Sequence, residues 1–151
     1  MNNHNVRVTK EFDFEMAHAL WDYDGLCKNL HGHSYKLFVT VIGTPIIDKT
    51  NTKLGMVIDF GDLKKIVKTT IVDVFDHSVV LNKNAPTKDF IHTEQMFDRI
   101  HLLDYQPTCE NMVVDFALQI KALLPTGVDL LSVKLFETAT SSAEWFAADN
   151  R

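Results

Sequence analysis

Two histidines separated by a single glycine form the sharpest chemical pattern in this sequence. His31, Gly32 and His33 begin a segment in which apolar and polar residues alternate, as they do on a half-buried β-strand. Because side chains two residues apart on a strand point to the same side, the two imidazoles should converge. His18 ends an earlier alternating segment on its apolar parity and could supply a third nitrogen. Three nitrogens leave zinc one open position, which is typical of a catalytic site.

Histidines near an apolar face also occur without a metal, hydrogen-bonded to backbone groups. Here three histidines fall on the buried parities of two predicted strands, and Gly32 keeps the backbone between two of them free of a side chain. We therefore interpret His18, His31 and His33 as metal ligands and expect Zn²⁺ as the ion.

Cys27 lies four residues before His31, and the sequence leaves two roles open for it. As a fourth ligand it would close the coordination shell and make the site structural. As a free thiol beside the metal and Lys28 it would serve as a nucleophile or a base. Cys109 stands beside Thr108 at the start of a predicted helix, and we interpret it as a packing residue.

An adjacent Asp76 and His77 follow a predicted helix directly. An aspartate beside a histidine can orient the imidazole for proton transfer, although a histidine also suits the last turn of a helix electrostatically. The remaining histidines have no such partner, and we expect them at the surface; they are His4, His92 and His101.

Two glutamates are further candidates for ligand binding. Glu137 lies on the apolar face of a predicted strand, where a carboxylate needs a partner or a ligand, and it could bind a ring rich in hydrogen-bond donors. Glu110 falls in the first turn of a predicted helix, where it could simply complement the helix dipole.

The elements that must position these residues follow from hydrophobic periodicity. Alternation predicts strands over residues 6–18, 31–41, 131–137 and 143–147. Helical spacing predicts two amphipathic helices, one capped by Asp59 and running to Phe75, the other capped by Thr108 and running to Leu124. Residues 82–104 have no assignable period. The predicted fold class is α+β, a four-stranded antiparallel sheet with both helices on one face, in the order strand-strand-helix-helix-strand-strand.

Length and composition favour one domain over residues 1–151, with 46% hydrophobic and 23% charged residues. The net charge of −5, without a cluster of Lys or Arg, argues against nucleic acid as a partner. The longest uncharged stretch, residues 37–47, is too short for a membrane span, and no secretory signal is visible. We expect a cytoplasmic protein, and the open edges of the predicted sheet favour an oligomer.

Short motifs in a fixed order resemble the 6-pyruvoyl-tetrahydropterin synthase and 6-carboxy-tetrahydropterin synthase family. They run nearly from one end of the chain to the other and are Phe14-Glu-Met-Ala-His18, Cys27-Lys-Asn-Leu-His31-Gly-His33-Ser-Tyr35, Val57-Ile-Asp59-Phe, Phe75-Asp76-His77, Leu81-Asn82, Pro107-Thr108-Cys-Glu110-Asn111 and Phe136-Glu137-Thr138. The resemblance implies the tunnelling fold, in which trimers join their sheets into a barrel. Two trimers then stack into a homohexamer with active sites at subunit interfaces.

The resemblance also implies roles for individual residues. The zinc ligands would be the three histidines already named, Cys27 the thiolate that abstracts a proton, and Asp76 and His77 its relay partners. Glu137 would anchor the pterin, and Glu110 would reach a neighbour's pocket. The implied substrate is 7,8-dihydroneopterin triphosphate, a small molecule. The sequence has no phosphate-loop motif, and Lys28 and Arg99 are named as candidate contacts for the triphosphate.

Within the family, the segment from Cys27 to Tyr35 resembles the bacterial 6-carboxy-tetrahydropterin branch, which feeds the 7-deazaguanine route to queuosine. That activity is a zinc-dependent lyase reaction releasing acetaldehyde and triphosphate. The alternatives are 6-pyruvoyl-tetrahydropterin synthase, which eliminates triphosphate without carbon–carbon cleavage, an aldolase or epimerase acting on dihydroneopterin, and a non-enzymatic zinc-binding module closed by Cys27. The sequence departs from the compact bacterial pattern by extra residues between Asn82 and Pro107, which include Glu94.

Overall fold

The computed structural model of the protein describes residues 4–86 and 98–150. Its strands are β1 (Val6–His18), β2 (His31–Gly43), β3 (Ser78–Asn82), β4 (Ile100–Leu103), β5 (Val128–Thr138) and β6 (Ser141–Phe146). Its helices are α1 (Phe60–Val67), α2 (Asp73–Phe75) and α3 (Cys109–Lys121). Within the described residues, six strands form one sheet in the order β4-β3-β1-β2-β5-β6.

The long β1–β2 hairpin sets the geometry of the site. Its antiparallel register pairs His18 with His31 and Met16 with His33. The residues of this parity point to the covered side of the sheet, where the Phe14 and Tyr35 rings stack at 5.1 Å between centroids. The register therefore brings the predicted histidines to one end of the hairpin, on the face that packs against the core.

Both predicted helices cover that face. The Asp59 carboxylate accepts from the Gly61 amide at 2.7 Å and caps α1, while the Thr108 hydroxyl accepts from the Asn111 amide at 3.3 Å and caps α3. Strand and helix residues share one buried cluster, which includes Phe12, Phe14, Met16, Tyr35, Leu37, Leu63, Val67, Met112, Phe116, Val133 and Leu135. Among the described helices, none is both long and apolar enough to traverse a bilayer.

The first predicted helix is not α-helical throughout. A π-helical segment over Lys68–Val72 separates α1 from α2. Within it, the Thr70 hydroxyl donates to the Ile66 carbonyl at 2.7 Å and the Thr69 hydroxyl to the Lys65 carbonyl at 2.8 Å. Threonine hydroxyls that bond the preceding turn compete with the α-helical pattern, which gives a physical reason for the wider turn.

The α+β class is confirmed, but the predicted strand number and pairing need correction. The four predicted strands correspond to β1, β2, β5 and β6, and the structure adds β3 and β4. Both added strands pair in parallel, β3 with β1 and β4 with β3. Ser78 to Leu81 are all buried, so β3 lacks the alternation that reveals a half-covered strand. His92 and Glu94 of the insertion lie outside the described residues.

Candidate functional site

The structure brings the three predicted metal ligands together. One ring nitrogen from each of His18, His31 and His33 lies within 4.8 Å of the other two. The ring centroids are 4.6 Å apart for His18 and His31 and 5.2 Å apart for His18 and His33. This cluster is a direct consequence of the β1–β2 register.

Backbone carbonyls fix the orientation of two of these rings. The His18 Nδ1–H donates to the Pro107 carbonyl and the His31 Nδ1–H to the Asn29 carbonyl, each at 2.7 Å. Burial lowers the pKa of His18, which favours its neutral ring. With both Nδ1 atoms protonated, each Nε2 of a neutral ring carries a lone pair. A metal-ligating histidine typically donates its other ring nitrogen to a carbonyl in this way.

Two polar groups beside the cluster lack partners among the described residues. The buried His33 Nε2 makes no hydrogen bond, although the Glu137 Oε1 atom is 3.4 Å away, and the buried Tyr35 hydroxyl is also unpartnered. Leaving a buried nitrogen unsatisfied costs free energy, and a bound cation would remove that cost. The three imidazoles each direct one ring nitrogen to the same place, and this arrangement fits a divalent metal ion.

Cys27 lies in the loop of residues 19–30 that joins β1 to β2, within a 3₁₀ turn over Leu26–Lys28. Its thiol is free and partly exposed. The Leu20 amide donates to the Cys27 carbonyl at 2.9 Å, which draws the two sides of the loop together. In the described part of the chain, the group of potential ligands consists of the three histidines and does not include this thiol.

Asp76 and His77 form a hydrogen-bonded pair at the junction of α2 and β3. The Asp76 Oδ2 atom is 2.9 Å from His77 Nδ1, and its Oδ1 atom accepts from the Glu15 amide at 2.9 Å. The His77 amide donates to the Glu15 carbonyl, and the residue has a φ of 55°. Burial acts to raise the pKa of Asp76, but the bonds from Glu15 and His77 hold it below its usual value. The pair makes no hydrogen bond or ion pair with the histidine cluster in the described residues.

Both candidate glutamates line one cavity of about 280 Å³. Its walls come from the loop of residues 19–30, the start of α3 and the β5–β6 turn. They are Leu20, Tyr23, Thr108, Cys109, Glu110, Glu137, Ser141 and Ser142. Glu137 thus reaches both this cavity and the histidine cluster, because its carboxylate also approaches His33.

Two residues of the insertion make contacts that the sequence pattern does not reveal. The Arg99 Nη2 atom donates to the carbonyls of Asp73 and Val74, and the His101 Nε2 atom donates to the Val74 carbonyl at 2.8 Å. His101 is partly buried and packs against the Phe75 ring, so the expectation of a surface position was wrong. Both residues hold the end of α2, directly before the Asp-His pair. The contacts link distant parts of the chain, so no local signal predicts them.

Comparisons with known proteins identify the family to which this chain belongs. The family model described as 6-pyruvoyl tetrahydropterin synthase matches residues 7–148. A Haemophilus influenzae protein named 6-carboxy-5,6,7,8-tetrahydropterin synthase is 36% identical over 141 residues, covering 92% of this chain and 97% of its own. A Rickettsia bellii protein of the same name is 31% identical over 144 residues, covering 92% and 99%.

A solved structure supports the same fold. The Caenorhabditis elegans 6-pyruvoyl tetrahydropterin synthase superposes with a TM-score of 0.66 at 24% identity, covering 95% of this chain and 96% of its own. The match of the family model over most of the sequence and the identity to the two bacterial relatives carry the assignment. This chain therefore belongs to the 6-pyruvoyl tetrahydropterin synthase family.

Proposed function

We propose that this protein is a lyase that converts 7,8-dihydroneopterin triphosphate and water to 6-carboxy-5,6,7,8-tetrahydropterin, acetaldehyde and triphosphate. Its product would enter the 7-deazaguanine route to queuosine. The observation that carries the proposal is the open cluster of three histidines beside a cavity that ends on Glu137. The bacterial relatives named for this activity support the choice within the family.

Zn²⁺ is the proposed cofactor, held by His18, His31 and His33. Zinc with three protein ligands keeps one position open, as in catalytic sites. When bound, it would supply Lewis acidity that makes a hydroxyl of the substrate side chain easier to deprotonate. The absence of Cys27 from the described ligand group supports the open site over the closed, structural one.

Proton transfer is assigned to Cys27, Asp76 and His77. Cys27 Sγ would act as the base that takes a proton from the substrate side chain. The His77 ring would relay protons, since its Nδ1 is held by Asp76 and its side chain is 75% exposed. A ring oriented through one nitrogen can exchange a proton through the other.

Glu137 is proposed to bind the pterin ring. A carboxylate accepts charge-assisted hydrogen bonds from the N–H groups of such a ring, and two of them would orient it. Glu110 lines the same cavity, which supports it as a second contact for the substrate, and in the assembly it would also reach a neighbour's pocket.

The same proposal includes a cytoplasmic homohexamer built as a dimer of trimers from a single domain. β4 and β6 end the described sheet and offer unpaired edges to another copy. Within the described residues of one chain, the Asp76–His77 pair is bonded to Glu15 and not to the histidines, which is compatible with active sites completed at subunit interfaces. Sedimentation would test the assembly, and a monomer would contradict it.

The decisive experiment is to incubate the zinc-loaded protein with 7,8-dihydroneopterin triphosphate and identify every product by mass. We expect acetaldehyde and 6-carboxy-tetrahydropterin. A pyruvoyl product without acetaldehyde would establish the second candidate, 6-pyruvoyl-tetrahydropterin synthase, which the name of the matching family model favours. No turnover would instead support a zinc-binding module.

A further inference from the structure

The side-chain amide of Gln106 bonds both backbone polar groups of Trp21. Gln106 Nε2 donates to the Trp21 carbonyl at 2.7 Å, and Gln106 Oε1 accepts from the Trp21 amide at 3.2 Å. A primary amide that pairs with both groups of one residue acts as the peptide of a neighbouring strand would. It therefore fixes the position of the chain around Trp21 relative to the segment that precedes α3.

Trp21 belongs to the loop of residues 19–30 that carries Cys27. Its neighbour Leu20 donates its amide to the Cys27 carbonyl at 2.9 Å, so the Gln106 contact lies one residue from the contact that places Cys27. The loop has little packing to hold it, because the side chains of Trp21 and Leu26 are 46% and 88% exposed. Hydrogen bonds must then determine where this loop lies.

The backbone at Asp22 gives a second reason for an external contact. Asp22 has a φ of 60°, in the left-handed region that residues with a side chain rarely adopt. Such a conformation persists only where surrounding contacts impose it. The bond from the Tyr23 amide to the Leu20 carbonyl at 3.3 Å closes the turn around Asp22, and the paired bonds from Gln106 to Trp21 hold this turn from outside.

Gln106 is itself held firmly on the side of the histidine cluster. Its carbonyl accepts from the Asn111 side chain at 3.0 Å and from the Thr108 amide at 2.7 Å. The next residue, Pro107, accepts from His18 Nδ1 through its carbonyl. Two consecutive residues thus bond His18 on one side and the loop of Cys27 on the other.

We propose that Gln106 is a positioning residue that fixes the Cys27 loop relative to His18. Its effect on catalysis rests on the proposed function, because it acts through the thiol assigned as the base. Loss of the two amide bonds should release the loop, shift Cys27 relative to His18 and leave the histidines themselves in position. Turnover should then fall while bound metal is retained.

The test compares Gln106→Met with the parent in the full-length, metal-loaded protein. Methionine keeps the length of the side chain but neither donates to nor accepts from the backbone as an amide does. We expect amide hydrogen exchange over residues 19–30 to accelerate roughly tenfold, as for the loss of two ordinary hydrogen bonds. Iodoacetamide should modify Cys27 faster, and kcat should fall, while metal content and exchange in β1 stay unchanged.

Gln119→Met is the matched control. The Gln119 amide donates at 2.9 Å to the Asp115 Oδ2 atom, which also accepts from the Tyr105 hydroxyl, so this change removes a glutamine hydrogen bond near the segment before α3 but keeps both bonds from Gln106 to Trp21. We expect parent-like exchange over residues 19–30 and parent-like turnover. If Gln106→Met fails to fold, Gln106→Glu is the second variant. It keeps an acceptor for the Trp21 amide but loses the donor to the Trp21 carbonyl. Hydrogen exchange over residues 19–30 should accelerate in this variant too.

Loop exchange and Cys27 modification at parent rates in the Gln106 variants would overturn the proposal. Faster exchange with unchanged kcat would overturn the catalytic consequence. Hydrogen exchange and iodoacetamide modification are measured without substrate. They therefore report the position of the loop even if the parent fails to turn over 7,8-dihydroneopterin triphosphate. Failure of the proposed function is therefore distinguishable from failure of this inference.

Discussion

The Nε2 atoms of His18 and His31 lie 3.1 Å apart, while the Nδ1 atom of each ring donates to a backbone carbonyl. Two neutral rings with both Nδ1 atoms protonated cannot hydrogen-bond through these Nε2 atoms, since each offers a lone pair. A cation bound by both removes the repulsion between the lone pairs. The backbone bonds to Nδ1 therefore orient both Nε2 lone pairs toward a position that one metal ion could share.

We first predict that His31→Ala removes most of the bound metal, because two imidazoles cannot hold the ion as tightly as three. Metal per chain, measured by plasma mass spectrometry after gel filtration, should fall from about one to well below one. His4→Ala is the matched control, since His4 is exposed and outside the cluster, and it should keep its metal. Full retention of metal by His31→Ala would remove His31 from the ligand set.

Chelation should abolish turnover and leave the protein folded. The buried cluster between sheet and helices is built from apolar side chains, and removal of the ion leaves these side chains and the buried His18 ring in place. Circular dichroism should therefore remain native after treatment with a chelator, and added zinc should restore activity. Cooperative unfolding on chelation would show instead that the metal is structural.

Local patterns predict part of this site, and the register explains why. Alternation predicted strands over residues 6–18 and 31–41, and the structure has β1 over Val6–His18 and β2 over His31–Gly43. A hairpin with both strands correctly placed determines which side chains meet, so the histidine cluster could be predicted from spacing alone.

The contacts that position the site could not be predicted in this way. The bond of His18 to Pro107 joins residues 89 apart, and that of Gln106 to Trp21 joins residues 85 apart. Such contacts depend on how α3 docks on the sheet and leave no trace in local periodicity. β3 was not predicted because Ser78 to Leu81 are all buried, so the strand shows no alternation of apolar and polar residues.

Cys27→Ala should keep the metal and the fold but lose turnover. The change removes the proposed base and leaves the three histidines intact, so we expect kcat to fall by roughly 10²- to 10⁴-fold. Metal analysis and steady-state kinetics on the same preparation check both halves of the expectation. Loss of metal together with the thiol would favour the closed site, with Cys27 as a fourth ligand.

The two cysteines should differ in reactivity. Burial raises the pKa of Cys109 to about 11, and its thiol donates to the Leu135 carbonyl. A raised pKa keeps the thiol protonated, and thus unreactive, until the pH approaches that value. At pH 8 the native protein should therefore take up one equivalent of iodoacetamide, at Cys27, and two after denaturation, as counted by peptide mass spectrometry. Modification of native Cys109 at pH 8 would contradict this.

Glu137→Gln should weaken substrate binding more than it slows the chemical step. The glutamine side chain has nearly the same shape, so the cavity wall formed with Thr108 and Glu110 should persist. A neutral amide oxygen accepts more weakly than a carboxylate from ring N–H groups, and its NH₂ group faces those donors unfavourably. We expect KM for 7,8-dihydroneopterin triphosphate to rise about tenfold, which corresponds to the difference between a charge-assisted and a neutral hydrogen bond.

The matched control for that change is Glu144→Gln on the neighbouring strand β6. Glu144 is exposed, its Oε2 atom lies 3.9 Å from Lys134 Nζ, and it does not line the cavity. The KM of the Glu144→Gln variant should therefore equal that of the parent. Metal content must be measured in both variants, because Glu137 also approaches His33. A kcat that falls while KM stays constant would show that Glu137 acts in the chemical step, and unchanged kinetics in Glu137→Gln would remove it from the site. A rise in KM at constant metal content would leave ring binding as its role.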